Sequence, residues 1–426
     1  VTAVVLWTSS LTLARGVKPF VPSYPKDISK VEVYLHTVGR GEQLYMTGGH
    51  TLLRVVDPSH NLDAIFNWGV FNFEEQGFIY KFLRGDIRYR LLVYPYTHHL
   101  QVYNREKRNL VEQKIHLTIR QKETFFRSLI FASQPERVTF RYHYYFANCS
   151  TKALDQIDNA LSGKLRLELA AIRTKGTLRD AVRESFNYFP TVSTLLEIVM
   201  NGDLDVKQLT VEEDSFLPLR MQKWLELVPQ FDDELKPLEG QGLLGPRVPL
   251  LSFAEPDPVG YQTGFVVSVI LGPLIVGLFL IARKASSLRL KQLSAKALRW
   301  TEFTWWSFSG AMGLIMLALW TLSSHEHGSR NANLLLFWPT DLVFGWLLLR
   351  GKLGAPSVRR YLRAHLMVYA LGWLLFVFGL IEQDISRVFA EFGALMVLIS
   401  IIGYQNYSGS NTIFGSFVPS LDTKLV

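Results

Sequence analysis

Tyr144-Tyr145-Phe146-Ala147-Asn148-Cys149-Ser150-Thr151-Lys152 marks the point where a β-rich run gives way to a helical one. Upstream, Val138–Phe146 alternates in the manner of a strand. Downstream, Ala153, Leu154, Ile157, Ala160 and Leu161 recur at helical spacing and give Thr151–Leu161 one apolar face. Cys149 therefore sits at or just before a helix N-terminus. Unpaired N–H groups and the positive end of the helix dipole favour a thiolate there. It is the only Cys in 426 residues, so no internal disulfide forms. Far upstream, Gly48-Gly49-His50-Thr51-Leu52-Leu53-Arg54-Val55 reads as a strand with His50 at its start. A thiol and a distant His are the minimum set for nucleophilic acyl chemistry. Free Cys is also often buried and inert. The polar flank of Asn148, Ser150 and Thr151 suits a core position poorly, yet spacing alone leaves both readings open.

Working outward, Val31–His36, Gln43–Met46, His50–Val56, Ala64–Phe73, Tyr89–Tyr94 and Leu100–Asn104 read as strands, with a turn at Asp57-Pro58-Ser59-His60-Asn61. Pairing Ala64–Phe73 with His50–Val56 around that turn sets His50 opposite Gly69–Phe71. Asn72 is then close by, and Asn67 lies further along the same strand. A polar group there would orient the imidazole, as the third member of a triad does. Thr118, with Gln121 as capping-box partner, opens a helix through Phe131. Further helices are expected at Thr177–Asn187, Val192–Met200 and Ser215–Leu227, and His98-His99 reads as a loop. The mixture is that of an α+β domain.

Residues 16–255 have the charged, aromatic composition of a soluble domain, whereas 261–404 are dominated by apolar runs. Tyr261–Ala282, Phe303–Leu322, Leu334–Leu349, Leu366–Ile381 and Val388–Tyr404 read as about five membrane spans, extended where short toward the roughly 17–25 residues a span needs. The loops Arg283–Arg299 and Arg350–Arg363 are basic and free of acids, so they face the cytoplasm and residues 16–255 lie outside. The net charge of +8 is largely this topology signal, and nucleic acid is not an expected partner. The expected divisions are a signal-like or anchor segment at 1–15, a Cys/His catalytic domain at 16–165, a helical extension at 166–236, a Pro/Gly-rich linker at 237–260, the membrane helices at 261–404 and a tail at 405–426. Asp341 and Glu391 fall inside membrane runs. His325 and His327 flank Glu326, but a zinc site needs further ligands; no metal or other cofactor is expected.

Four blocks recur in the order of a known family: Gly41-Glu42-Gln43-Leu44-Tyr45, Gly49-His50-Thr51-Leu52-Leu53-Arg54-Val55, Phe66-Asn67-Trp68-Gly69-Val70-Phe71-Asn72-Phe73, and Asn148-Cys149-Ser150-Thr151-Lys152. The run His325–Asn333 followed by Leu334-Leu335-Leu336-Phe337-Trp338-Pro339 adds to them. The chain thereby resembles the Lnb family of bacterial lipoprotein N-acyltransferases. Its His-before-Cys order is also similar to permuted papain-like folds of the NlpC and lecithin–retinol acyltransferase type. Two departures stand out: Asn72 where the family often has an acid, and Lys152 where it often has Arg.

The resemblance implies a permuted papain-like extracytoplasmic domain followed by membrane helices in the bacterial inner membrane. It implies Cys149 as nucleophile and His50 as base, with Asn72, Asn67, Asn148, Ser150 and Thr151 as candidates for orienting the imidazole or stabilising an oxyanion. Arg54, Lys152, His325, Asn331 and Asn333 are candidates for binding substrate, although Arg54 reads more readily as the partner of an acid on the sheet, and His325, Asn331 and Asn333 read also as an ordinary polar loop. The implied partners are a membrane phospholipid as acyl donor, a diacylglyceryl lipoprotein as acceptor, and the lipid bilayer. An envelope Cys hydrolase using the same pair is the alternative, and a non-enzymatic membrane sensor a more distant one.

Overall fold

The computed structural model describes residues 20–71, 76–205, 208–255, 257–258 and 263–406. The chain divides into one unit of Val1–Tyr188 with Val206–Pro258 and a second of Phe189–Asp205 with Val259–Val426.

In the first unit, β1 (Glu32–Val38) and β2 (His50–Asp57) pair antiparallel, Leu35 opposite Leu53 and Val38 opposite His50. A 3-10 turn at Pro58–His60, closed by Asn61 in the left-handed region, leads into β3 (Leu62–Val70). Next come α1 (Phe78–Arg84), β4 (Arg88–Pro95), α2 (Tyr96–Arg105), β5 (Leu110–Lys114), α3 (Ile119–Ala132), β6 (Thr139–Arg141) and α4 (Cys149–Ala160). The helices α5 (Lys164–Ala171), α6 (Leu178–Phe186), α8 (Val211–Asp214) and α9 (Pro218–Leu225) follow, interrupted by α7 (Pro190–Val199) of the second unit. The strands β7 (Pro229–Phe231), β8 (Pro237–Gly242) and β9 (Val248–Leu251) end the unit.

The main sheet runs β6-β4-β3-β2-β1-β5-β9, with every neighbouring pair antiparallel. Strand alternation gives it two faces. Val33, Leu35, Leu53, Val55 and Phe66 meet Phe125, Phe126 and Leu129 of α3 and Leu154 and Ile157 of α4. On the other face Leu52 and Ile65 meet Tyr103 of α2. Burying each such large side chain stabilises by about 1.5–3 kcal/mol, so this sandwich fixes the start of α4 against β2.

Several expectations give way to the structure. Gln43–Met46 is a 3-10 turn at Leu44–Met46 rather than a strand; Met46 N–H bonds Gln43 O and Gly49 N–H bonds Met46 O, which curls the chain. Leu100–Asn104 lies inside α2, because a five-residue apolar pattern satisfies either period. Only Thr139–Arg141 of the expected 138–146 strand pairs; His143 and Ala147 then exchange backbone bonds and fold the chain into the start of α4. The segment 237–260 is not simply a linker. Its first half forms β8 and β9, and β9 adds to the sheet beside β5, an edge where Pro249 is tolerated. Thr118 does cap α3, with Gln121 completing the capping box.

The second unit holds α7, α10 (Thr263–Lys284), α11 (Leu288–Leu322), α12 (Asp341–Leu349), α13 (Ala355–Val377) and α14 (Ser386–Asn406), the last with a π-helical stretch at Phe389–Gly393. Among the described residues three helices, α10, α11 and α14, are long and apolar enough to cross a membrane. The expected Leu334–Leu349 span is shorter as a helix. A 3-10 turn occupies Ala332–Leu335, Pro339 follows, and α12 has nine residues. The expected Leu366–Ile381 span is the C-terminal part of α13, whose earlier turns carry Arg359, Arg360 and Arg363. Asp341 is wholly buried and accepts bonds from Ser309 Oγ (2.5 Å) and Tyr361 Oη (2.7 Å), with His365 Nε2 at 2.7 Å. Glu391 pairs with Arg387 one turn earlier. The segments 1–19, 407–426 and 259–262, which hold the expected anchor, the tail and the start of the first span, lie outside the described residues.

Candidate active site

Asn148 builds the start of α4. Its Oδ1 accepts from Ser150 N (2.9 Å) and Thr151 N (3.0 Å), while Thr151 Oγ1 accepts from Asn148 N (2.8 Å). Its Nδ2 donates to Tyr144 O (2.7 Å) and Phe216 O (2.9 Å), which locks the cap to its surroundings. Cys149 is thus the first helical residue, and it is half-buried. Ser150 reaches down to Thr51 of β2, Oγ to Oγ1 at 3.1 Å, and both residues are fully buried.

His50 opens β2 directly after Gly49, whose φ of +82° and approach to Val38 O exclude a side chain. Continuing the β2–β3 register from Leu53 opposite Phe66 sets His50 level with Gly69. A Cβ at Gly69 would lie 2.2 Å from His50 Cε1 and 2.9 Å from Nε2, so the imidazole occupies the space a side chain would fill. His50 Nε2 donates to Asn67 Oδ1 at 2.9 Å, and the same oxygen accepts from Gly69 N at 2.8 Å. A register shift between Asn67 and Val70 accompanies this arrangement.

Burial by itself pushes the Cys149 thiol up. The charge of His50 and a hydrogen bond with it, joined by the Thr51 N–H and the Ser150 side chain, more than offset this and hold the thiol below its ordinary value. Since alkylation follows the thiolate, the single Cys is expected to react with iodoacetamide at lower pH than a free thiol does. In His50→Ala the midpoint of rate against pH should move upward, because burial then acts with less opposition. An unmoved midpoint would separate the thiol from the imidazole.

The other candidates fall in different places. Asn67 meets His50, while Asn72 lies outside the described residues. The Ser150 and Thr151 N–H groups are already bonded to Asn148 and are not free to hold an oxyanion; the Cys149 N–H, at the first helical position, has no partner one turn back. Lys152 pairs with Asp155 at 3.1 Å. Arg54 grips Asp63 with two bonds of 2.8 Å, bonds Glu112 at 2.7 Å and lies 3.5 Å over the Tyr96 ring, so its charge is satisfied within the sheet. In the second unit Asn331 and Asn333 are buried and donate to the backbone of α7, Asn331 Nδ2 to Ile198 O (2.9 Å) and Asn333 Nδ2 to Glu197 O (3.0 Å). They tie that helix down. His325 sits before the 3-10 turn Glu326–Gly328. Sequence reasoning missed Gly69 as a site residue; a Gly inside an apolar strand is the signal that marks close approach.

Residues 25–184 match the Lnb N-terminal periplasmic domain, and residues 266–408 match the Lnb transmembrane domain. The two matches together take in more than half of the chain. No curated protein and no solved structure matches it.

Proposed function

The chain belongs to the Lnb family and is a membrane protein with a periplasmic domain; on that premise we propose that it is a lipoprotein N-acyltransferase. The observation that carries the reading is the Cys149–His50–Asn67 constellation, a thiol at the first position of a helix, hydrogen-bonded with an imidazole that Asn67 holds from behind.

In the first half-reaction His50 takes the thiol proton and Cys149 Sγ attacks the ester carbonyl of a membrane phospholipid. The Cys149 N–H faces the developing oxyanion. The intermediate collapses to a thioester, and His50 gives its proton to the departing lysophospholipid oxygen. In the second half the α-amine of a diacylglyceryl-modified N-terminal Cys attacks the thioester. An amide forms, the amine loses a proton to His50, and the thiolate leaves. The order is ping-pong. A permuted papain-like arrangement of the first unit, and a multi-pass inner-membrane anchor, belong to the same proposal. Both substrates are lipid-anchored, and lifting an acyl chain into water costs about 0.8 kcal/mol per CH₂. An anchor on the same chain keeps the enzyme where those chains already lie.

The test is the intact mass of a lipoprotein N-terminal peptide from cells expressing the wild type or Cys149→Ser. An added amide-linked acyl group that depends on Cys149 is expected. Acylation by Cys149→Ser would overturn the thioester route. Release of free fatty acid without peptide acylation would favour the hydrolase.

A further inference from the structure

Behind His50 a line of polar side chains runs on through the face of the sheet that α2 covers. Asn67 Nδ2 lies 3.5 Å from Tyr94 Oη, and Tyr94 Oη 3.3 Å from His99 Nδ1. His99 Nε2 lies 3.0 Å from His36 Nδ1, and His36 Nε2 2.8 Å from Glu112 Oε2. His36 and His99 are both completely buried. The line crosses β3, β4, α2, β1 and β5, and ends where Arg54, itself held by Asp63, grips Glu112.

Hydrogen-bond chemistry gives this line a direction. An ionised carboxylate only accepts, so His36 donates from Nε2 and keeps a lone pair on Nδ1. His99 must then donate from Nε2 and accept at Nδ1. Tyr94 donates to His99 and accepts from Asn67 Nδ2. That leaves Asn67 Oδ1 facing His50, which donates from Nε2 and keeps Nδ1 free to accept a proton from a thiol. Every link points from the reactive pair toward Glu112, with no donor facing a donor.

We propose that Glu112, acting through His36, His99, Tyr94 and Asn67, is the anchor that fixes the tautomer and position of His50. These are positioning residues; an amide in the line rules out proton passage, and none is needed. The charge states agree with the assignment. Burial pushes the His36 imidazole down, and burial, first among the causes, with the nearby imidazoles and Arg54 pushes His99 down to about 2, so both rings stay neutral with one N–H each. Burial raises the Glu112 carboxyl, but bonds from His36 and Arg54 more than offset it and keep it ionised. A merely structural role explains the line poorly, since buried polar networks are often matched in stability by apolar residues of the same shape.

The proposal rests on His50 and Cys149 as the reactive pair, and its test does not depend on which acyl donor is used. Because the chain has one Cys, iodoacetamide alkylation of the full-length protein in phospholipid–detergent micelles reads the thiolate directly. Tyr94→Phe removes one oxygen from the middle of the line. The alkylation midpoint is expected to move to higher pH, and the rate at neutral pH to fall about fivefold, the worth of one hydrogen bond. With an acyl donor, kcat should fall with KM unchanged. Glu112→Gln replaces the acceptor-only end by an amide that can turn a donor toward His36, so the direction of the line is no longer fixed and the profile should move the same way; it decides the matter if Tyr94→Phe does not fold. A folded Tyr94→Phe or Glu112→Gln with the wild-type alkylation profile overturns the proposal, as does a lowered melting temperature with an unmoved profile. No acyl transfer by the wild type, with these shifts intact, would count against the proposed function alone.

Discussion

Cys149→Ala is expected to lower acyl transfer by about 10,000-fold or more, and His50→Ala to cost nearly as much. The thiol supplies the bond that forms, and without it no thioester exists. The imidazole supplies the proton acceptor and, by charge and hydrogen bond, holds the buried thiol in its reactive form. The two act as one unit, so the double variant should be little worse than either single one. Turnover of the purified full-length chain with phospholipid donor and lipopeptide acceptor measures all three. If the two losses multiplied instead, the residues would be contributing separately and the paired mechanism would fail.

Gly69→Ala is the second large effect, expected to cut kcat by about 100-fold with little change in melting temperature. One methyl group at this position would stand 2.2 Å from His50 Cε1. The imidazole would have to swing away, losing Asn67 and its alignment with Cys149 together. Gly69 does not hold a left-handed conformation, so alanine meets no backbone penalty there. Gly49→Ala differs: a positive φ and the nearby Val38 carbonyl would strain the β1–β2 pairing itself. Kinetics beside a thermal melt separate the two cases. A Gly69→Ala enzyme of normal activity would show that the imidazole has room to spare.

The chemistry-bearing pair was legible because local signals converge on it. A change of periodicity, a capping Asn and a lone thiol mark Cys149, and a Gly-Gly step into an apolar strand marks His50. Pairing β2 with β3 around the 57–61 turn follows from turn chemistry and alternation, and it brings Asn67 into range. Polar residues near the motifs were harder to rank. Arg54 pairs with acids of the sheet, the reading its place in a strand favoured, whereas Lys152, Asn331 and Asn333 resemble substrate contacts in sequence yet are each bound within their own unit, because a charge or amide takes whatever partner packing brings near.

Sequence alone determined the α+β first unit, the apolar second part, and the residues at which a thiol and an imidazole open their elements. These follow from short-range periodicity and capping, which act over one or two turns of chain. Tertiary structure decided the rest. His36 meets His99 across 63 residues and Glu112 across 76, and His50 meets Asn67 only because Gly69 leaves space between them. Such contacts are set by how sheet faces and covering helices stack, and that stacking is a property of the whole core rather than of any local run.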